Sequence, residues 1–458
     1  MKYLILSISL LSALSIHAQE PLSLSDAIQI GLERNYGIRI EHRNVQVAEN
    51  NNTWGEAGRL PTVNLTLQSQ NSVRNQQSDN LFFGGQLFPG FELNNQQTYG
   101  MTPGVTVTWN IFQGNRAIIS KRRLDQLHAE SEQNAEVVVA NTIQSIILGY
   151  YLAVLEQQRL SEFKKQLSLS GDKFEYIQTK YDLGGAVTSD KLLEENNYLT
   201  DSASVLNQQL ALNNAFRNLN LLLAKDDINT KYLLTDSLAI EDITYAYDDL
   251  VDAAFNQNVD LKKIYISQAI LGANTALQES SRYPTVSLNG GYNWNRNVSN
   301  LTDARYSGPN PDYQNPPEPL VSKTGTYFAN FTVSFTLFDG NRINRAIKNA
   351  MVQEDIGNIR IDQLKKNVER DLATAYDQYL VRKQLLAINE RRREAAEINL
   401  QNSEEKFRNG SINSFDYRDV QNNYLSAAIL ELQATYNLID SKVSLMRLTG
   451  GLVRAYNP

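Results

Sequence analysis

Val63, Leu65 and Leu67 alternate with Asn64, Thr66 and Gln68, and further on Val105, Val107, Trp109 and Ile111 alternate with Thr106, Thr108 and Asn110. A period of two with one apolar and one polar face predicts a pair of strands. The pattern returns at Val286, Leu288, Tyr292 and Trp294 against Ser287, Asn289, Asn293 and Asn295. It appears a fourth time at Ala329, Phe331, Val333, Phe335 and Leu337 against Asn330, Thr332, Ser334 and Thr336. Within the first pair, Asn71 to Thr98 is rich in Asn, Gln and Gly and reads as a long polar loop interrupted by Leu81-Phe82-Phe83. Within the second, a loop holds Pro309, Pro311, Pro316, Pro317 and Pro319.

The rest of the pattern is helical. Leu22 to Gly58 predicts one helix, capped by Ser23 or Ser25 and ended by Pro61, which has no N–H to continue it. From Asn115 to Tyr181 no proline occurs, and Leu124, Leu127, Ala135, Val138, Ile146, Tyr150 and Val154 recur at helical spacing. At about 1.5 Å per residue such a helix is on the order of 100 Å long. Gly184-Gly185 breaks it, Thr188 or Ser189 can cap a successor, and Lys191 to Ala224 returns antiparallel. Leu250–Ser281 predicts another helix before Pro284. A second rod runs from Asn341 to Phe407, breaks at Gly410, and returns from Ser414 to Thr449, with Gly450-Gly451 as its stop. Leu425, Ile429, Leu432, Tyr436, Ile439, Val443 and Met446 are spaced four and three in turn, which is a coiled-coil seam. The first return helix holds the same seam through Leu199, Ala203, Leu206 and Leu210, then loses it at Asn213 and Arg217.

These elements occur in the same order twice. Phe112-Gln113-Gly114-Asn115-Arg116 returns as Phe338-Asp339-Gly340-Asn341-Arg342, 226 residues on (340 − 114), and Arg59-Leu60-Pro61-Thr62-Val63 returns as Arg282-Tyr283-Pro284-Thr285-Val286. An internal two-fold repeat follows. Its expected divisions are a first repeat over 19–224, a connector over 225–249, a second repeat over 250–450 and a tail over 451–458. Residues 1–18 read as a cleaved signal peptide: Lys2, an apolar run from Leu4 to Ile16, then Ala18. The exported product then has no apolar run long enough for a spanning helix, so entry into a membrane implies a barrel.

Composition narrows the chemistry. With no cysteine, disulfides, thiolate metal sites and a lipidated N-terminal cysteine are excluded. The few histidines, His17, His42 and His128, have no second histidine at ligand spacing, so no metal or cofactor is expected. A net charge of −7 and scattered Lys and Arg exclude a nucleic-acid partner. No nucleophile with its base, phosphate loop or pocket-forming segment accompanies the acids, so the chain is not read as an enzyme. Four one-sided strands have the signature of an outer-membrane barrel but cannot close alone, so copies must share one barrel; three copies give twelve strands and a lumen. The alternatives are a soluble antiparallel sheet with helices on one side, or a periplasmic coiled-coil scaffold or adaptor without a barrel.

The duplicated Pro61 and Pro284 strand entries, the Phe-x-Gly-x-Arg strand exits, and the turns Tyr181-Asp182-Leu183-Gly184 and Phe407-Arg408-Asn409-Gly410, with Asp190 and Asp416 six residues after each glycine, together resemble the TolC-like outer-membrane efflux protein family. The resemblance implies a mainly α fold with membrane β: a homotrimer whose twelve-stranded barrel, four strands per chain, sits in outer-membrane lipid and continues as a long α-helical coiled-coil barrel across the periplasm. It implies an exit duct of a tripartite efflux or type I secretion system, partnered by a periplasmic adaptor and an inner-membrane pump or ABC transporter. It places a lumen constriction at Asp416 and Asp419, one helical turn apart, which in a trimer would form two carboxylate rings that bind cations. The plainer reading has Asp416 helping to cap its helix and Asp419 solvated. Where the family has an aromatic and an arginine bracketing the turn glycine, this chain has Phe407 and Ile412, with Arg408 or Arg418 as substitutes for the missing charge. The turns Leu183, Gly184, Gly185, Ala186 and Asn409, Gly410, Ser411 are the implied adaptor-docking points.

Overall fold

The computed structural model describes residues 20–239 and 245–456; the expected signal peptide lies outside them. In chain order the elements are β1 (Glu20–Leu22), α1 (Leu24–Arg34), α2 (Tyr36–Asn51), β2 (Thr62–Phe83), β3 (Gln86–Gln113), α3 (Arg116–Asp182), α4 (Thr188–Leu222), β4 (Tyr232–Leu234), α5 (Tyr247–Gln257) and α6 (Val259–Glu279). A 3-10 turn at Ser280–Arg282 leads to β5 (Thr285–Asn300), β6 (Arg305–Ser307), β7 (Leu320–Ser334), α7 (Arg342–Arg408), α8 (Ser414–Leu448) and α9 (Gly451–Tyr456). Two compact units result, each drawn from both halves of the sequence. A helical unit takes residues up to 47, 129–267 and from 358 onward; a sheet unit takes 48–128 and 268–357.

The long helices α3 and α7 are 67 residues each, and their return helices α4 and α8 are 35 each. Length alone does not stabilise them; packing does. The main core of the helical unit joins Ile28 of α1, Ile143, Ile146 and Tyr150 of α3, Phe216 and Leu219 of α4, and Ile439 and Val443 of α8. A second core joins Leu250, Ala254, Leu261, Leu372, Tyr379, Leu438 and Leu445. Helix α8 thus feeds both cores from opposite faces. Its predicted seam is buried at Leu432, Ile439 and Val443, whereas the matching residues of α4, Leu199, Leu206 and Leu210, are 58%, 70% and 55% exposed. One stretch of α3 is long and apolar enough to cross a membrane, although no such run was expected; half of that stretch is buried inside the protein.

Several expected boundaries are corrected. The helix predicted over Leu22–Gly58 is a strand and two helices, and the one predicted over Leu250–Ser281 starts at Tyr247 and is broken at Asn258. The breaks have one cause. The Asn35 carbonyl oxygen accepts from the N–H groups of Gly37 (2.8 Å) and Ile38 (3.3 Å), and its amide donates to the carbonyl of Leu222 at the end of α4 (2.8 Å). Asn258 does the same with Asp260 (2.9 Å), Leu261 (3.1 Å) and the carbonyl of Leu448 at the end of α8 (2.8 Å). One side chain starts a helix and caps the far end of a hairpin. Of the two candidate caps for α1, Ser23 serves, in a reciprocal box with Asp26. Helix α2 stops at Asn51, so Pro61 is not its terminator. Neither Thr188 nor Ser189 caps α4; the capping position is Val187, which has no side-chain bond to give. The tail after Gly450 is not irregular: it forms α9 and buries Leu452 completely. The connector contributes β4, which pairs in parallel with β1.

The sheet unit has strand order β2-β3-β5-β7, antiparallel throughout, with β6 paired to β3. The polar stretch 71–98 is not a loop. β2 and β3 form one hairpin from Thr62↔Thr108 to Phe83↔Gln86, turning at Gly84-Gly85, both at positive φ (60° and 82°). Two consecutive left-handed residues are the tight turn whose twist matches an antiparallel pair, and cross-strand bonding satisfies a backbone whose side chains are polar. β7 ends at Ser334, paired with Thr285; Pro284, just before, has no N–H to carry the ladder to Phe335 and Leu337. Each strand exit turns on a Gly-Asn pair at positive φ: Gly114 (57°) and Asn115 (62°), then Gly340 (68°) and Asn341 (60°). A Cβ on Gly114 would lie 2.6 Å from the Ser280 carbonyl oxygen, so only glycine fits there.

Replacing Asn35 or Asn258 by Ala should destabilise the protein by about 1–3 kcal/mol, the cost of leaving buried backbone groups unpaired. Asn258→Asp, which keeps the acceptor and loses the donor to Leu448, should fall between wild type and Asn258→Ala in a urea denaturation midpoint; equality with Ala would locate the whole effect in the donor.

Candidate gate at the helical turns

Both helical hairpins end in a glycine at positive φ that lets the last carbonyls be capped by the turn. Gly184 (76°) lies between Gly184 N–H donating to Tyr181 (2.9 Å) and Gly185 N–H donating to Lys180 (2.7 Å). Gly410 (72°) repeats this with Phe407 (3.0 Å) and with Ser411 N–H donating to Lys406 (2.7 Å). Leu183, Gly184, Gly185, Asn409, Gly410 and Ser411 are exposed, and Ala186 is half-buried. Leu183 is 83% and Phe415 65% exposed, so each turn also presents a large apolar side chain.

Asp416 and Asp419 are both exposed on the first turns of α8. Asn413 caps that helix by accepting from the Asp416 N–H (2.9 Å), and its amide donates to the Asp416 carboxylate (3.0 Å). The capping role is therefore present; it leaves one carboxylate oxygen of Asp416 outside this pair. Phe407 and Ile412 are brought together by packing on a small core of Leu400, Tyr417, Tyr424 and Ala428. Phe407 stacks on Tyr417 (4.9 Å, 14°) and meets Tyr176 edge-on (6.1 Å, 70°). A cavity of about 350 Å³ opens beside these rings, with Asp172, Lys173 and Glu404 in its wall.

The two candidate arginines separate clearly. Arg408 is exposed and pairs with Glu404 one turn earlier on its own helix (2.6 Å). Arg418 grips Asp201 of α4 with two parallel bonds of 2.6 and 2.7 Å, both side chains largely buried. Beside it lies a second, fully buried pair that sequence reasoning missed. Lys173 of α3 lies 3.1 Å from Glu194 of α4 and donates to the carbonyl of Ser414 at the start of α8 (2.8 Å), while the Ser414 hydroxyl donates to Glu194. Burial holds the Lys173 ammonium below its ordinary pKa; the Glu194 carboxylate opposes that and the Arg418 charge reinforces it. A further tier ties α8 to α3 and to α7: Lys165 donates to the Tyr424 hydroxyl (2.8 Å), that hydroxyl donates to Glu162 (3.2 Å), and Arg393 pairs with Glu431 (2.9 Å).

A sequence signal for this lock existed. Glu194, Asp201 and Gln208 fall seven residues apart on α4 and are all buried, each with a partner on another helix: Lys173, Arg418 and Glu156. A polar residue at every seventh place of a helix otherwise read for its leucines marks an inward polar seam.

Each unit has a recognisable form: the helical unit consists of long antiparallel hairpins cross-braced near their turns, and the sheet unit is an antiparallel sheet with open edges. Residues 250–451 match the family described as Outer membrane efflux protein. Over 218 residues the chain is 23% identical to Outer membrane protein TolC of Vibrio cholerae serotype O1; the match takes in 45% of this chain and spans about half, 48%, of that relative. Among solved structures it resembles the Campylobacter jejuni CmeC outer membrane channel (TM-score 0.72, 14% identity, 93% of this chain and 85% of that one). It also resembles CusC (TM-score 0.70, 14% identity, 93% and 92%). The resemblance read from the sequence holds: the second half carries the outer membrane efflux protein signature, and the chain has the fold of the TolC-like channels.

Asp201→Ala or Arg418→Ala should each cost about 3 kcal/mol or more, because either leaves a largely buried charge without its partner. The double variant should cost clearly less than the sum of the two, and a double-mutant cycle from denaturation midpoints measures the difference.

Proposed function

We propose that this protein is an outer-membrane exit duct, non-enzymatic and passive, that gives substrates a route across periplasm and outer membrane as part of a tripartite efflux or type I secretion system. The observation that carries the reading is the sheet. Val63, Leu65 and Leu67 of β2 are 65%, 81% and 67% exposed, and Tyr327, Phe331 and Val333 of β7 are 82%, 71% and 69% exposed. These two strands are also the unpaired edges of the main path. An apolar outer face suits hydrocarbon, but unpaired edge groups there do not. Pairing β2 of one copy with β7 of the next removes both edges, and a homotrimer makes a barrel of twelve strands with room for a lumen.

The closable end of the duct is at the helical turns. Asp416 and Asp419, repeated three times, form a cation-binding constriction, and the packing of Phe407 and Ile412 holds the turn of α8 in place. The Arg418–Asp201 pair takes the part of the polar latch for which Ile412 has no charge. The turns at Leu183–Ala186 and Asn409–Ser411 receive the hairpins of a periplasmic adaptor, which connects the duct to an inner-membrane pump or ABC transporter. Support comes from the fold shared with outer-membrane channels, from the exposed apolar side chains at the turns, and from the exposure of both aspartates.

Heat-modifiable migration in outer-membrane fractions, followed by single-channel conductance in planar bilayers, tests the reading. The expected result is low conductance that divalent cations block from the side carrying the turns, with block weakened at least about tenfold in Asp416→Ala/Asp419→Ala, the loss expected when a charged site is removed. Insertion with divalent block unchanged in the variant would keep the duct and reject the carboxylate rings. Folded protein that fractionates with the periplasm and never inserts would favour a coiled-coil scaffold.

A further inference from the structure

The β2–β3 hairpin runs well past the rest of its sheet. β2 has 22 residues against 15 in β7, and β3 keeps its pairing with β5 only as far as Gln97. Beyond Gln97 a short strut, β6, pairs with Glu92, Leu93 and Asn94, and Tyr306 stacks on Phe91 (6.1 Å). A bulge at Asn75, where Asn95 adopts positive φ (61°) and donates its N–H to the Asn75 side chain (2.8 Å), bends the hairpin at its base. Past the strut stands a free tip.

That tip is apolar on both sides. Opposed residues share a face, so Leu81, Phe83 and Phe88 lie on one side and Phe82 and Leu87 on the other. Phe82, Phe83 and Leu87 are 74%, 81% and 68% exposed, and no charge occurs between Asp79 and Glu92. A lone two-stranded ribbon is marginal in water, and one with two greasy faces needs cover on both. Packing onto a flat surface would cover one face only. A ring of copies in which each tip turns out of the barrel wall covers both, one face of each tip meeting the other face of its neighbour in a heterologous contact that cyclic symmetry repeats.

We propose that the three tips, 80–91, pack on one another around the three-fold axis and constrict the mouth of the barrel at their end of the sheet. The proposal rests on the trimeric reading above. A second copy is favoured as occupant because the tip's free β2 edge continues the same open edge that a neighbouring β7 must pair, and β7 ends level with Ser72 (Leu320 opposite Ser299, Ser299 opposite Thr98, Thr98 opposite Ser72), well short of Phe83 at the end of β2, leaving the tips of adjacent copies unsheltered.

The chain has no cysteine, so cross-linking is clean. Phe83→Cys and Leu87→Cys lie on opposite faces of one tip and cannot bridge within a chain. Upon mild oxidation of outer membranes, the double variant should convert most of the protein to disulfide-linked trimer, and each single variant should stay unlinked. A heat-modifiable trimer that forms no disulfide in the double variant would overturn the tip contact and leave the trimer standing. Equal linking in the single variants would overturn the face-to-face geometry, and absence of any trimer would remove the trimeric reading itself. Cysteines that resist maleimide until detergent is added would assign the tip to lipid instead. In planar bilayers, replacing Phe82, Phe83, Leu87 and Phe88 by Ser should admit larger polyethylene glycols into the pore; an unchanged size limit would reject the constriction.

Discussion

Helix α8 is the part on which the helical unit depends. A 35-residue helix usually buries one stripe, but α8 buries two: Ile439 and Val443 join the core built on α1, α3 and α4, while Leu438 and Leu445 join the core built on α5, α6 and α7. Its end is tied by Asn258 through the Leu448 carbonyl and its start by Arg418 and Ser414 to α4. A helix fixed at both ends and on two sides transmits a displacement of its turn along its length rather than absorbing it locally.

The ion pairs near the turns set desolvation against mutual attraction. Lys173, Glu194, Asp201 and Arg418 are charges withdrawn from water, held because each has a partner in good geometry. Such pairs add little net stability over an apolar core, yet breaking one is costly. They therefore specify one arrangement of the two hairpins more than they strengthen the fold. The apolar stripe of α4, Leu199, Leu206 and Leu210, and the exposed face of β2 and β7 are the complementary feature: surfaces that this chain alone leaves uncovered.

The resemblance to efflux channels was legible from modest signals in combination. The near-equal spacing of the Gly114 and Gly340 exits, the prolines at 61 and 284, and the turn glycines at 184 and 410 marked most of the element order, because glycine at positive φ and proline without a donor are local requirements that sequence expresses directly. The polar hairpin over 71–98 was not legible. Its side chains carry little alternation, and only cross-strand pairing with a Gly84-Gly85 turn makes those residues a strand. Arg418 could not be told from a surface charge until Asp201 was found across from it, 217 positions away in sequence.

What the sequence determined by itself was the alternation of four strands, two long rods with their returns, and the points where the rods and returns stop, since these depend on side-chain periodicity and backbone freedom within a few residues. The tertiary structure decided where helices break within an apolar run, at Asn35 and Asn258, because the breaking amide needs a carbonyl from a distant helix end. It also decided which charges are paired across helices and which are solvated. Burial and partnership are properties of the packed chain, and a carboxylate or a lysine carries no mark of either until the neighbouring helix is in place.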